Sequence, residues 1–594
     1  MSLKDAFAKA YQKKGITVET SESEDRSAEF EPRSDITPEE IRMMYRAQIT
    51  ERCSLQNAGQ NPHLTRWVDE WVQPQSDLNP TYQHPQPSLG LDDTMYRFLL
   101  KLPGRLSSNS GQDNIIRPVL DSEGIPMIPG SGIKGLFKRW LRRNTLTPTE
   151  LKIAEKLRFH RAYPIDDWTG RGRMVDVIHP QQERQIGMKK TSPHAFAAIT
   201  LYKPTLVFEL SCRQKLTLEQ WQRVEEWVRL ALTPGIGGKT STGYGLIGQP
   251  PRPQQEYNLI IPLLGTGVSS LLRSDVPEFR PNQFKASIRG HVTRLLGGVC
   301  GDRDLINNQL NYFFGHEHAT GKLDMYWQTQ AFLGQDQTQG HENTPIFKVQ
   351  GKLLVSLPDR EADWLRSVFR FAYIMGGFGK SWRRVWHKCD LRDWHPGFMP
   401  SYQTRAIGCH WECHEPNFVG IKNKRDLENF LSKLYVDTQQ FRSQLNSRQP
   451  NNHQESPDYM TTWREAWHPN NVTVYALETD RSQAISLFHD KEEIFKYTPA
   501  VGGRGISIKN GKEERDNHPT SVSSVWHRML PIDDGKQYLE IVTVFHGDAP
   551  DLSRPKGERS QWQHQERGDQ LQNFINSLKK ESKGLQLSWG EEPE

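Results

Sequence analysis

Five cations crowd twelve residues of this chain, and no acid stands among them. They are Lys134, Lys138, Arg139, Arg142 and Arg143, in GIKGLFKRWLRR (132–143). Wound as a helix at about 100° per residue, the five share one half of the circumference. Leu136, Phe137, Trp140 and Leu141 fill the other half. One face is built to pack and the other to present charge. The stretch opens on a Gly130-Ser131-Gly132 turn, and backbone N–H groups at such a turn, with Ser131 beside them, suit a phosphate. A phosphodiester strand needs this combination: cations spaced to track phosphates, and a backbone it can approach closely. A plain solvated basic face has the same composition.

A second stretch is PGIGGKTSTGYG (234–245). Its Gly238-Lys239-Thr240 matches the end of the nucleotide-binding pattern G-x-x-x-x-G-K-[ST]. The first glycine of that pattern falls on Thr233, and the loop follows a helical pattern where a P-loop follows a strand. ATP binding is therefore excluded. What remains is a glycine-rich loop in which Gly237, Gly238 and Lys239 suit a nucleic-acid backbone, with Tyr244 as a ring for a base to stack on. The alternative is an ordinary helix stop.

The elements that must position these residues recur. MYRFLLKL (95–102) reads as a strand, and LTLEQWQRVEEWVRLAL (216–232) as an amphipathic helix running into the glycine loop. GQPPRPQQEYN (248–258) reads as a linker. Beyond it the order repeats: a strand at NLIIPLL (258–264), a proline turn into a basic helix (279–298, with Lys285 and Arg289), a Trp-containing helix (359–374), and the Gly-rich basic loop MGGFGKSWRRVWH (375–387) with Lys380. Lys134 and Lys239 are 105 residues apart, Lys285 and Lys380 95. Matched features in one order at similar spacing argue for an internal duplication. Past residue 400 the pattern weakens. Residues 440–460 read as an exposed loop, and 471–480 and 538–547 as strands that complete the second unit's sheet after an insertion. Residues 570–583 read as a short terminal helix. At the other end, 21–35 is acidic and poor in apolar residues, expected as a mobile arm, and 36–49 carries a helix start.

Composition bounds the function. The chain has 594 residues, net charge +5, 35% hydrophobic residues, 17 Trp, 17 Tyr and 24 Phe, so it can build cores. Its mean hydropathy is −0.73. No apolar run approaches a membrane span, the N-terminus has no apolar leader, and six Cys make no disulfide framework. A cytoplasmic location is expected.

These features resemble the RAMP superfamily of CRISPR proteins, most of all the backbone and capping subunits of type III RNA-guided effector complexes. The resemblance rests on IPGSGIKGLFKR (128–139), on GIGGKTSTGYG (235–245), and on the span between them. The second unit resembles the family through QFKASIRG, FFGHEHATGKL (313–323), GGFGKS and PTSVSSVWHRM (519–529), but departs from it where Asn282-Gln283 stands in place of Gly-Ser.

The resemblance implies an α+β chain with two ferredoxin-like, RRM-type domains. The organisation it implies is an N-terminal accessory region (1–90), a first domain (91–250), a second (256–400 plus about 465–550) interrupted by an insertion (401–464), and a C-terminal tail (551–594). It implies guide RNA held by Ser131, Lys134, Lys138, Arg139, Arg142, Gly237, Gly238, Lys239, Tyr244, Lys285, Arg289 and Lys380, with target RNA and other effector subunits as partners. Family members that cut target RNA use an acid in the loop before the P-G-S turn, and Asp113 falls on that position; Asp121 is a worse match. Asp113 would hold Mg²⁺ or orient a 2′-hydroxyl for attack on the next phosphate. An Asp-Asn turn without chemistry is the alternative. Asp275 is the corresponding candidate in the second unit. Two further readings stay open: a noncatalytic capping subunit, and a guide-processing endoribonuclease, which would be expected to use a His where none lies between Met95 and Lys134.

Two clusters stand apart from this reading. Cys409 and Cys413 in CHWECH (409–414), near Cys389, His387 and His395, could offer zinc ligands, or be packing cysteines. The tryptophans after residue 360 are expected as core or interface anchors, with one or two free to stack bases.

Overall fold

The computed structural model describes residues 87–593, apart from 93–94, 109, 113–114, 122–123, 170–173, 179–184, 188–195, 268–278, 317–318, 338–344, 380–381, 384–408, 414, 447–456, 490–494, 496–497, 502–505, 510–511, 516–522, 533–536, 548–560, 565–566 and 581–583. The acidic stretch 21–35, the helix start at 36–49, Asp113, Asp275, Lys380, Cys389, His387, His395, Trp386 and Trp394 lie outside the described residues.

The first unit is built on β1 (Met95–Lys101), where Tyr96, Phe98 and Leu100 alternate inward. Then come α1 (Gly130–Leu141), α2 (Pro148–Lys156), β2 (Leu157–Pro164), β3 (Thr205–Cys212) and α3 (Leu218–Leu232). The starts of α2 and α3 are fixed by capping boxes, Thr147 with Glu150 and Thr217 with Gln220. β3 lies between β1 and β2, antiparallel to both, and Gly90–Asp92 occupies the remaining edge. Register is set by packing: Phe98 sits opposite Phe208, their rings stacked at 5.2 Å.

The second unit repeats this order with β4 (Leu259–Gly267), α4 (Asn282–Gly297), α5 (Arg303–Phe314), β5 (Asp324–Gln337), β6 (Pro345–Ser356), α6 (Ala362–Met375) and β7 (His410–Glu412). Its strand order is β5-β6-β4-β7, so the middle strand again comes third in sequence. β4 carries glycine where a neighbour must approach. A Cβ on Gly265 would lie 2.3 Å from the Trp411 ring, and one on Gly267 would lie 2.6 Å from Cys409 Sγ. The duplication read from sequence is thus present as two like-ordered sheets.

The rest of the chain departs from expectation. After α7 (Lys424–Asn446) come β8 (Val472–Thr479), β9 (Val525–Ile532), β10 (Gln537–Phe545), α8 (Leu571–Lys579) and β11 (Gln586–Trp589). These strands do not extend the second sheet. They form a third, in the order β9-β10-β8-β11, the same order as the second. The stretch 401–464 is not a plain insertion either: β7 closes the second sheet, and the buried Leu427, Leu431 and Leu434 of α7 join its core. Residues 440–446, expected in a loop, are the end of α7, and the segment after 551 supplies α8 and β11. The third sheet is covered on both faces. Val472, Val474 and Ala476 face the core shared with the second unit, while Tyr475, Val542 and Val544 face a core closed by Phe574 and Leu578 of α8. Strands buried on both sides read as continuous apolar runs without alternation, and such runs do not say which sheet they join.

One buried ionic cluster ties the units together. Glu465, fully buried, accepts from Arg383 at 2.5 Å and from Arg464 at 2.8 Å, and pairs with Arg294 of α4 at 2.7 Å. The first unit reaches the same place: the amide of Glu465 donates to the carbonyl of Ile186 at 3.1 Å, and Arg383 donates to Gln185 at 3.2 Å. Burial alone would raise the Glu465 carboxyl, but attraction from Arg383, Arg294 and Arg464 outweighs it and holds the group at about 2. Among the described residues no helix is long and apolar enough to cross a membrane.

Substituting Glu465→Gln leaves buried guanidinium groups without their counter-charge, and is expected to destabilise the fold by about 3–5 kcal/mol in denaturant titrations. Because the carboxyl is depressed in the folded chain, its contribution is complete above the ordinary carboxylate range and is lost as pH falls toward about 2. Acid titration of wild type and variant should therefore converge at the low end.

Candidate nucleic-acid interface

Along α1 the division read from sequence is realised. Ile133 and Phe137 are buried, Leu136, Trp140 and Leu141 pack partly against the first core, and Lys134, Lys138, Arg139, Arg142 and Arg143 are exposed. Among the described residues none of the five has a side-chain hydrogen bond or an ion pair. Arg142 is the C-cap, and Lys138 and Arg139 sit in the last turn, where the helix dipole welcomes cations. The other end has Pro129 as N-cap, no side-chain cap and no acid in its first turn.

The glycines of α1 fall into two kinds. A Cβ on Gly130 would lie 2.2 Å from the Phe159 carbonyl oxygen of β2, so Gly130 is dictated by packing. Gly132 and Gly135, both exposed, have nothing within 4 Å of where a Cβ would stand. Each costs the helix about 1 kcal/mol relative to alanine, and no contact among the described residues asks for either. They flank Lys134 on the open face.

The glycine loop is less open than its sequence suggests. Gly238 donates its amide to the Ser107 carbonyl at 2.6 Å, Gly245 to Arg105 at 2.7 Å, and Ile236 to Gly245 at 2.9 Å. Gly237 (φ 75°) lies so close to Ser107 that a Cβ would meet its carbonyl at 2.3 Å. The loop is a pinned hairpin, and the Gly238 amide is already committed. Lys239 itself is left-handed (φ 57°) and leads a short turn, Thr240–Thr242. Tyr244 does not present a ring to a base. It is buried, and its hydroxyl donates to Asp176.

Asp176 is a residue that the sequence did not single out. It lies on Val175–Ile178, an edge strand of a small sheet whose members are Ser110–Gln112, Ile115–Arg117 and Phe196–Ile199. Gln112 pairs with Ile115, on either side of residues 113–114. The Asp176 carboxylate is fully buried and takes two partners: Tyr244 of the first unit's glycine loop, and Arg280 from the turn that opens α4 in the second unit. Burial pushes the carboxyl up, but Arg280 and Arg105 attract it more strongly, so it is held below its ordinary range. At the same seam Gly243 meets Pro281, a Cβ there standing 3.4 Å from the proline ring. Asp121, the poorer match, is a turn residue paired with Arg161 at 2.8 Å.

Between the two units lies a cleft of about 1980 Å³. One wall is the end of α1 with Arg139, Trp140 and Arg143, and the floor is the glycine loop with Pro281 and Asn282. The other wall is Lys285 and Arg289 of α4, together with Gly315, His316 and residues 319–322. Among the described residues, six lysines and arginines line it against two carboxylates, Glu256 and Asp324, and Asp324 is paired with Arg252 at 3.4 Å. Lys285 is half-buried. Desolvation, then the repulsion of Arg289, lowers its ammonium from the usual lysine range, with Asp324 opposing. Arg289 lies over the Phe314 ring at 5.7 Å.

Elsewhere the second unit closes sites the first leaves open. Gln283, in place of the serine, is packed under the second glycine loop: Cys409 Sγ lies 3.7 Å from Gln283 Oε1, and a Cβ on Gly379 would strike that oxygen. Gly379 in turn donates to Ser287 Oγ at 3.2 Å. Cys409 is buried, and desolvation pushes the Cys413 thiol up to about 11, the direction of a packing cysteine. Among the described residues no three His, Cys, Asp or Glu side chains gather as a metal site. Trp364, Trp382, Trp411, Trp463, Trp467 and Trp526 are all buried, so none of these offers a face to a base.

Residues 104–247 match the family model of the RAMP superfamily. No curated protein matches the chain. Among solved structures, a chain from the Type III-B Cmr-beta bound to cognate target RNA is 21% identical, with a TM-score of 0.21, and the match covers 26% of this chain and 57% of that one, less than two thirds of its length. Cmr1 from Pyrococcus furiosus, in its apo form, is 11% identical with a TM-score of 0.31, covering 56% of this chain and 99% of that one.

The two kinds of glycine give opposite stability outcomes. Gly130→Ala should destabilise by several kcal/mol, of the order of ~3, because backbone must move. Gly132→Ala and Gly135→Ala should each stabilise by about 0.5–1 kcal/mol in thermal or denaturant unfolding. A drop in stability at either would reveal an internal role for that glycine.

Proposed function

We propose that this chain, whose residues 104–247 match the RAMP superfamily, is an RNA-binding subunit of a type III CRISPR effector complex. Its partners would be guide RNA, target RNA and neighbouring effector subunits, and its location the cytoplasm. Its first two units would then be tandem ferredoxin-like domains that hold the guide. The observation that carries this reading is the open face of α1: five exposed cations that have no acidic partner among the described residues, beside two glycines that no described contact requires. A phosphodiester strand explains both at once, since it needs charge and a backbone without side chains in the way. Lys134, Lys138, Arg139 and Arg142 would contact phosphates, Ser131 and the α1 N-terminus would seat one, and Lys239 would approach from the loop.

Catalysis is the second part of the proposal. Asp113 lies within the residue span matched by the family model and between the paired residues Gln112 and Ile115. In this reading it orients a target 2′-hydroxyl, and a divalent metal such as Mg²⁺ supplies charge stabilisation at the phosphate. Asp275 would be its counterpart in the second unit.

The test is Asp113→Ala in the assembled complex. Guide binding and assembly should be unchanged while one cut in the target RNA disappears, with a drop of about 10²-fold or more in that cut's rate. An unchanged cut pattern would make the chain a noncatalytic cap. Cutting that persists in chelator would point to a metal-independent processing enzyme.

A further inference from the structure

We propose that a single strand of RNA runs through the cleft between the first and second units, held on one wall by Arg139 and Arg143 and on the other by Lys285 and Lys322. This rests on the RNA-binding reading and adds to it a second wall, contributed by a different unit of the same chain.

Four observations support it. First, among the described residues the cleft's charge is lopsided. Of the two carboxylates there, Asp324 already faces Arg252, whereas Arg139, Arg143, Lys285 and Lys322 have no side-chain ion pair. Lys285 carries a desolvation penalty with no acid bonded to it, and the charge of a phosphate would offset that penalty. Second, the size suits a ligand larger than a small molecule. At about 1980 Å³ the cleft is roughly twice the upper end of small-molecule pockets, about 1,000 Å³. Third, the far wall is stiff. Gly315, His316 and residues 319–322 fold back on α5: Lys322 donates its amide to Tyr312 at 2.9 Å, Leu323 to Phe313 at 2.9 Å, and His316 to Ala319 at 2.9 Å. A Cβ on Gly321 would lie 2.2 Å from the Phe313 carbonyl. Lys322 is therefore displayed from a fixed backbone. Fourth, the two walls are locked in relation to each other by Asp176, which grips the first unit's loop through Tyr244 and the second unit's turn through Arg280. The gap is set before anything enters, so binding is spared the cost of ordering it. Trp140, half-buried on the first wall between Arg139 and Arg143, offers an aromatic edge between cations that a base could meet there.

The experiment measures binding of a fluorescent single-stranded RNA of about 15 nucleotides, within the usual range of single-strand site sizes, to the full-length chain across a salt series. Lys285→Gln/Lys322→Gln is compared with Lys134→Gln/Lys138→Gln and wild type. Each phosphate that goes unneutralised on a single strand lowers the slope of log K against log salt by about 0.7. The Lys285/Lys322 variant should therefore fall by about 1.4 in slope and about tenfold in affinity near physiological salt. Circular dichroism and melting of both variants confirm folding, and all four lysines have ends without ion pairs, so folding should hold. If wild type binds no RNA, the RNA-binding reading itself fails. If wild type binds and the Lys285/Lys322 variant has the same slope and affinity, the strand avoids the second wall and this inference alone is overturned. If the variant instead keeps RNA affinity but no longer retains a protein subunit in the assembled complex, the cleft holds an acidic protein segment, and the inference is overturned as well.

Discussion

The geometry of the candidate site depends on one buried carboxylate. Asp176 stands on a minor strand, yet it receives Tyr244 from the glycine loop and Arg280 from the opening turn of α4. A buried ionised carboxylate is tolerated only when its bonds are made, and here both partners come from the elements that floor the cleft. Charge satisfaction and site geometry are therefore the same contact. The strand that carries Asp176 also belongs to the sheet that flanks residues 113–114, so the loop proposed for cleavage and the loop proposed for binding share one small scaffold.

Around that contact the chain uses a single plan more than once. In the second and third sheets the first strand in sequence lies between the third and the fourth. In the first sheet the same three long strands are present, and the fourth position is taken by residues that precede them. The copies have diverged in what their turns are for. In the first unit the α1 turn is open and its cations have no ion pair among the described residues; in the second, Gln283 and Ser287 fill the equivalent space beneath Gly379. The third sheet is buried on both faces and joins the second through Glu465 and its arginines. Its part is to brace the assembly. The arginine cluster fixes α4 from behind, and α4 carries Lys285 and Arg289 into the cleft.

Much of this is legible in the sequence where local physics decides. The amphipathic split of α1, the helix at 216–232 and the strand at 95–102 follow from periodicity, and each is found within a few residues of where the sequence puts it. Thr147-Pro148-Thr149-Glu150 carries a different kind of signal, a capping box that marks the start of α2. What is not legible is long-range. Asp176 and Arg280 are 104 residues apart, and nothing about either residue's neighbours marks them as partners. A loop tyrosine beside glycines is usually exposed, which makes Tyr244 read as a stacking ring; its burial comes from Asp176. The apolar runs at 471–480 and 538–547 identify strands, but their pairing with each other and with Gln586–Trp589 depends on contacts that only the fold brings together. The cleft exists only with both units in place, and only then does Lys322 face the cations of α1.

The central claim is that RNA lies across α1 and into the seam that Asp176 closes. Ultraviolet crosslinking of the full-length chain, in complex with guide RNA and its natural subunits, followed by mass spectrometry of the crosslinked peptides, tests it most directly. The account predicts crosslinks on the peptide that holds Trp140 and on the peptide spanning Gly315–Lys322, and none on β8 or β10, which are buried on both faces. Crosslinks confined to the third unit's surface, with α1 and the cleft untouched, would contradict it.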